Sequence, residues 1–95
     1  MNLTTETLNN CLGQSITVFT GDQIGEHIRK FGLYEKEKLL FLTAILRQLD
    51  SPVVLDIGAN IGNHTLAFAT VASRVFAFEP IPAIYSLLAT SPLLQ

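Results

Sequence analysis

The sequence contains one cysteine, Cys11, one methionine and no tryptophan. A single cysteine cannot form a disulfide within the chain, and no cluster of Cys and His has the spacing of a metal site. We therefore expect neither a disulfide-stabilised fold nor a bound metal. Basic residues are also scarce, because six Lys and Arg against eight Asp and Glu leave a net charge of −2. Without a basic excess to neutralise phosphates, nucleic acid is not expected to be the main partner.

Long hydrophobic runs are missing as well. The most apolar stretch, residues 39–46, lies between Lys38 and Arg47. It is too short to span a bilayer, since a spanning helix needs about 20 apolar residues. Residues 1–10 contain no Lys or Arg and no apolar core, so they do not resemble a secretory signal. We expect no membrane span and a cytoplasmic location.

A strand, a glycine loop, a helix and a second strand are predicted between residues 53 and 79. The first strand, Val53–Ile57, is apolar without alternation, which is typical of a strand covered on both faces. Gly58 and Gly62 bracket the turn, and glycine accepts positive φ and lets a ligand approach the backbone closely. A helix follows over 63–72, with Asn60 or Asn63 as its cap, and the second strand covers 75–78. The composition, 48% hydrophobic and 15% charged over 95 residues, fits one globular α/β domain.

A carboxylate stands at the tip of each of these strands. Glu79 follows Asp56 by 23 positions, the distance at which one crossover places a second parallel strand beside the first. Pro80 favours extended backbone at Glu79 and keeps its side chain near the end of the sheet. Such an acid commonly accepts hydrogen bonds from the ribose of a nucleotide cofactor, and the first turn of the loop helix favours an anion. For Asp56 two roles stay open: it binds the ammonium group of the cofactor, or it only ties the loop together.

Two runs of residues around this loop resemble a known family. They are Val-Leu-Asp-Ile-Gly-Ala-Asn-Ile-Gly-Asn-His-Thr at 54–65 and Ala-Phe-Glu-Pro-Ile-Pro at 77–82. Both are similar to the FkbM-type S-adenosylmethionine-dependent methyltransferases, which resemble this chain in carrying Asn at position 60. Phe-Gly-Leu-Tyr-Glu at 31–35 also resembles what that family carries ahead of its first core strand. The similarity extends over roughly residues 14–88.

The resemblance implies a class I, Rossmann-like fold with S-adenosylmethionine as the cofactor. The activity that it implies is methylation of a hydroxyl on a small molecule, sugar or lipid-like metabolite. It gives no catalytic residue, because in this family the acceptor site is built mostly after the fourth strand. The residues that it implies for cofactor binding are Tyr34, Asp56, Gly58, Ala59, Asn60, Gly62, Glu79 and Pro80.

The remaining chain is predicted to support this unit. Residues 1–13 are expected to be a loose lead-in, 14–50 a peripheral strand with helices, and 51–95 the first half of the cofactor domain. Asp22 is expected to cap a helix to Lys30, and a longer helix is predicted over 34–49. His27 and His64 are expected to be surface or structural residues. Because a complete class I sheet has seven strands and this sequence predicts two of them, we expect a truncated enzyme that is inactive alone and poorly soluble.

Two other function classes remain. A nicotinamide dehydrogenase would carry Gly-x-Gly-x-x-Gly, whereas this loop reads Gly-x-x-x-Gly after an aspartate. The other alternative is a non-catalytic remnant that folds against a partner chain and serves as a binding piece. Titration with the cofactor separates an S-adenosylmethionine site from both alternatives.

Overall fold

A computed structural model describes residues 4–91 of the chain, which form four strands and four helices. Two strands pair antiparallel and two pair parallel, in separate sheets, so the expected α/β class is observed and no closed sheet is present in this range. The elements are β1 (Thr5–Asn9), β2 (Ser15–Phe19), α1 (Gln23–Phe31), α2 (Lys36–Arg47), β3 (Val53–Ile57), α3 (Asn63–Ala69), β4 (Arg74–Phe78) and α4 (Pro82–Leu88).

The parallel pair β3 and β4 is joined by α3, as the sequence predicts. The register places Asp56 opposite Ala77 and Ile57 opposite Phe78, so both strands end at the same edge of the sheet. Strand β3 has the predicted bounds and β4 begins one residue early. Helix α3 ends at Ala69 instead of residue 72, where the Thr70 hydroxyl donates to the Ala67 carbonyl at 2.7 Å.

The N-terminal segment differs from the prediction. A loose lead-in over residues 1–13 is wrong for Thr5–Asn9, which pairs with β2 along its whole length. The hairpin is closed by Asn10, whose side-chain oxygen accepts from the backbone N–H groups of Leu12 at 3.0 Å and Gln14 at 2.9 Å. Strand pairing uses backbone groups and tolerates the polar Thr and Asn side chains of this segment. Residues 1–3 lie outside the described range.

The main core joins this hairpin to the loop after β3. Strand β2 pairs with β1 and not with the parallel sheet, which agrees with the peripheral position predicted for it. Its Val18 is nevertheless fully buried. The Gln14 side chain also donates to the Leu66 carbonyl at 2.8 Å. The hairpin therefore packs against the glycine loop and α3. The buried side chains of this core are Ile16, Val18, Ile28, Ile61, Leu66 and Leu87.

The second face of the parallel sheet is open in residues 4–91. Val54 and Asp56 point towards the covered side, whereas Val53, Leu55 and Ile57 are 58%, 63% and 75% exposed. On β4, Phe76 and Phe78 are 44% and 50% exposed. The expectation that β3 is covered on both faces is thus wrong for the described chain, because α3 packs on one side only.

The helices of residues 14–50 follow the prediction in outline. Helix α2 runs from Lys36 to Arg47, shorter than the predicted 34–49, and packs against α3. The predicted helix would carry Leu39, Ile45 and Leu49 on one apolar face, but only Leu39 of these three is buried, whereas Ile45 and Leu49 are 44% and 54% exposed. Asp22 occupies the cap position of α1, but its side chain makes no capping hydrogen bond. Across residues 4–91, every helix is too short or too polar to cross a bilayer.

Candidate functional site

The loop after β3 is fastened to the end of β4. The backbone N–H groups of Gly58 and Ala59 both donate to the Phe78 carbonyl, at 2.8 and 2.9 Å. Gly58 has φ of 78° and Gly62 has φ of 100°, as expected for glycines that bracket a tight turn. Asn60 also adopts a left-handed backbone, with φ of 56°, a conformation that Asn tolerates better than most residues. The loop is therefore a fixed structure at the carboxyl end of the sheet.

Glu79 lies beside this loop and is held by two backbone donors. Its Oε1 accepts from the Asn60 N–H at 2.8 Å, and its Oε2 accepts from the Ile81 N–H at 3.1 Å. A carboxylate offers about four lone-pair positions, so each oxygen retains capacity for a further donor. Glu79 is half-buried and oriented before any ligand arrives.

A cleft of about 360 Å³ opens next to Glu79. We call it the Glu79 cleft; its volume is in the lower part of the usual range for small-molecule sites, roughly 300–1,000 Å³. Apolar side chains surround one carboxylate, a common composition for a ligand pocket. The lining residues are Ile57, Gly58, Ala77, Phe78, Glu79, Pro80 and Tyr85.

A second, smaller cleft of about 210 Å³ borders the same loop. We call it the Tyr34 cleft, and Gly58 lines both clefts. Three further predicted site residues, Tyr34, Ala59 and Asn60, meet here. The lining residues are Ile24, Tyr34, Gly58, Ala59, Asn60, Ile61, Asn63 and His64.

Tyr34 is positioned by a residue whose role was predicted differently. The Asn63 side chain accepts from the Tyr34 N–H at 3.1 Å and donates to the Tyr34 carbonyl at 2.8 Å. Gly62, and neither Asn60 nor Asn63, occupies the cap position of α3. The prediction that one of these asparagines caps the helix is thus wrong. Asn63 is instead buried and fastens the segment before α2 to the glycine loop.

Asp56 is placed differently from the other predicted site residues. It is buried, accepts a hydrogen bond from the Thr65 hydroxyl at 2.5 Å, and is not part of the lining of either cleft. This contact ties β3 to α3 and supports the structural alternative for Asp56. Gly62 is also buried and shapes the turn rather than a cleft wall.

His64, which lines the Tyr34 cleft, lies beside an ion pair between Glu35 and Lys38, and both residues of that pair line a separate cavity of about 400 Å³. The Glu35 carboxylate lies 2.6 Å from Lys38 Nζ and 3.3 Å from His64 Nε2. The hydrogen bond from Lys38 lowers the pKa of Glu35, with a smaller contribution from His64, and the same bond raises the pKa of Lys38. His64, which was expected to face solvent or to be structural, lines the cleft. The His27 ring packs edge-on against the Tyr34 ring, with 5.3 Å between centroids.

Within the described part of the chain, no three side chains of His, Cys, Asp or Glu come together as metal ligands would. Comparison with protein-family models, with curated proteins and with solved structures finds no match for this chain. The similarity to the FkbM-type methyltransferases stays a prediction that depends on the residues at 31–35, 54–65 and 77–82.

Proposed function

We propose that this chain carries the S-adenosylmethionine-binding half of a class I methyltransferase of the FkbM type. The observation that supports this most strongly is the position of Glu79, fixed on the glycine loop at the end of β4. In open parallel α/β sheets, ligands bind outside the carboxyl ends of the strands. Gly58, Asn60 and Glu79 meet at that edge.

The Glu79 cleft is proposed to hold the adenosine part of the cofactor. The two Glu79 oxygens, already bound to backbone N–H groups, have lone pairs left for the two ribose hydroxyls. Ile57, Phe78 and Tyr85 offer apolar surface for a purine ring. The carboxylate therefore supplies the specific contact and its neighbours supply the buried area.

The Tyr34 cleft is proposed to hold the amino-acid end of the cofactor, with Gly58 between the two parts. A Cβ at Gly58 would meet no atom within 4 Å, so this backbone is open to close approach by a ligand. The smaller volume of the Tyr34 cleft suits the smaller half of the molecule. Asp56 is assigned a structural role here because of its bond to Thr65.

Methyl transfer from a sulfonium needs alignment of donor and acceptor, and a hydroxyl acceptor also needs a general base. The proposed acceptor is a small-molecule, sugar or lipid-like hydroxyl, and a cytoplasmic location belongs to the same proposal. We assign no general base to the described residues. The chain alone is therefore expected to bind the cofactor without turning it over.

Calorimetric titration with S-adenosylhomocysteine tests the proposal. Glu79→Gln removes the charge of the carboxylate and is expected to weaken binding about tenfold or more, since a charged hydrogen bond contributes about 1.5–3 kcal/mol. Glu37→Gln, at an exposed position on α2, is the matched control and should bind like the wild type. Equal affinity of Glu79→Gln and the wild type, or no binding by the wild type, would contradict the proposal.

A second candidate function is a non-catalytic binding piece. The exposed apolar side chains of β3 and β4 favour it, because monomeric proteins rarely expose a contiguous apolar patch of several hundred Å². A folded chain that binds neither S-adenosylhomocysteine nor a nicotinamide nucleotide would support this candidate and would also exclude the dehydrogenase alternative.

A further inference from the structure

The segment before α2 is held in an unfavourable backbone conformation at one wall of the Tyr34 cleft. Glu35 has φ of 54°, a left-handed conformation that costs a residue with a side chain some free energy. The adjacent Tyr34 backbone is held by both polar atoms of the Asn63 side chain. Contacts with α3 therefore keep this segment in place.

One of these contacts carries a charge that can change. His64 Nε2 is buried and has no hydrogen-bond partner among the described residues, but Glu35 Oε1 lies 3.3 Å away. Because the bond from Lys38 lowers the pKa of Glu35, this carboxylate stays negative at neutral pH. Histidine is the side chain that ordinarily gains and loses its proton between about pH 5 and 8. The charge of the contact is therefore controlled by His64.

The other groups around His64 either carry no charge or already contact another residue. Lys38 on α2 bonds to the other Glu35 oxygen, and the Phe68 ring, 6.3 Å from the His64 ring, carries no charge. Asp56 on β3 is engaged by Thr65, and His27 on α1 contacts the Tyr34 ring. Tyr34 lines the same cleft. Glu35 is thus the charged partner that His64 meets directly.

We propose that His64 and Glu35 form a proton-controlled latch on the Tyr34 cleft. Protonated His64 attracts the Glu35 carboxylate and holds Tyr34 and Glu35 against the glycine loop, whereas neutral His64 lets this segment move away. The latch is closed when His64 is protonated and open when it is neutral. Since a wall that is already ordered loses less freedom on binding, the closed latch favours a ligand in the cleft. Only this effect on the cofactor rests on the proposed function.

Hydrogen exchange at the Tyr34 amide measures the latch without any ligand. This N–H donates to Asn63, so it exchanges when the segment leaves α3. In the wild-type chain its protection factor, corrected for the intrinsic rate, should be about two- to fivefold higher at pH 6 than at pH 8, as for a partly exposed ion pair. Added salt should reduce the difference. Equal protection at the two pH values in the wild type overturns the latch.

Variants identify the groups responsible. His64→Gln and Glu35→Gln each remove one charge and should abolish the pH dependence of protection, whereas His27→Gln, the other histidine of the chain, should retain it. A pH dependence that survives in His64→Gln overturns the assignment. The wild-type measurement stands by itself if a variant does not fold.

Titration of the wild type with S-adenosylhomocysteine at pH 6 and pH 8 separates this inference from the proposed function. Binding should be about two- to fivefold tighter at pH 6. A difference in Tyr34 protection without binding at either pH supports the latch and contradicts the proposed function. Binding without a difference in protection contradicts the latch alone.

Discussion

In this chain the more polar of the two sheets contains deeply buried side chains, whereas the more apolar sheet leaves many of its side chains exposed. The β1–β2 hairpin is rich in Thr, Asn and Ser, yet its Ile16 and Val18 are among the most buried residues. The parallel β3–β4 sheet is far more apolar, yet Leu55, Ile57 and Phe78 are at least half exposed. The hairpin therefore serves as support, whereas the more apolar sheet presents its carboxyl edge and one open face. Apolar sequence alone does not show which sheet is covered.

The largest expected effect separates covered from open apolar positions. Leu66→Ala empties a fully buried site beneath the glycine loop and should lower the free energy of unfolding by about 2–5 kcal/mol. Leu55→Ala, on the open face of β3, should change it by no more than about 0.5 kcal/mol. Denaturant titration measures both. A comparable loss in the two variants would mean that the β3 face is covered.

The next effect concerns the covered face of the same strand. Thr65→Val removes the hydroxyl that donates to Asp56 and leaves a buried carboxylate oxygen without that donor. We expect a loss of about 1–3 kcal/mol in stability. The affinity of the folded variant for S-adenosylhomocysteine should be unchanged, as a structural role for Asp56 requires. If calorimetry showed weaker binding by a variant whose fold is intact, Asp56 would belong to the cofactor site instead.

A smaller effect compares two glycines with similar backbones. Gly58 and Gly13 have φ of 78° and 75°, and a Cβ at either would meet nothing within 4 Å. Replacement of either by Ala should cost roughly 1–2 kcal/mol of stability from the left-handed backbone alone. Only Gly58→Ala should also weaken the binding of S-adenosylhomocysteine, because Gly58 borders both clefts. Equal ligand affinity in both variants would remove Gly58 from the site.

The smallest effect is a pH dependence at Glu35. Because its pKa is lowered in the folded chain, chiefly by Lys38, the pair contributes stability above the ordinary carboxyl range near 4.5. That contribution is lost as the pH falls through the lowered value. The difference in melting temperature between the wild type and Glu35→Gln should therefore shrink when the pH is lowered from 5 to 3. A difference that grows over this range would contradict this sign.

The sequence predicts best what is encoded locally. Strand β3 has the predicted bounds because an apolar run ends at a glycine turn, and the positive φ of Gly58 follows from the same turn. The spacing of the two strand tips predicted Glu79 at the same end of the sheet as Asp56, and the register of β3 and β4 agrees with this. The hydrogen bond from the Asn60 N–H to Glu79 was not predicted. The predicted features depend on neighbours within a few residues or on one crossover.

Features that depend on distant partners were not predicted. Strand β1 forms by pairing with β2. The hydrogen bonds between the Asn63 side chain and the Tyr34 backbone join positions 29 residues apart. The open face of the sheet depends on what covers it, which periodicity within one strand does not encode. One signal was available for Asp56, since Thr65 falls in the first turn of α3, where a hydroxyl can reach back to the preceding strand.

The most direct test of the cofactor site is mapping of S-adenosylhomocysteine on the wild-type chain by amide chemical shifts. The account predicts that the largest shifts occur at Gly58, Ala59, Asn60 and Glu79, the residues where the carboxyl ends of β3 and β4 meet. The amides of the β1–β2 hairpin should remain nearly unchanged. Shifts confined to the hairpin, or none at saturating ligand, would contradict the account.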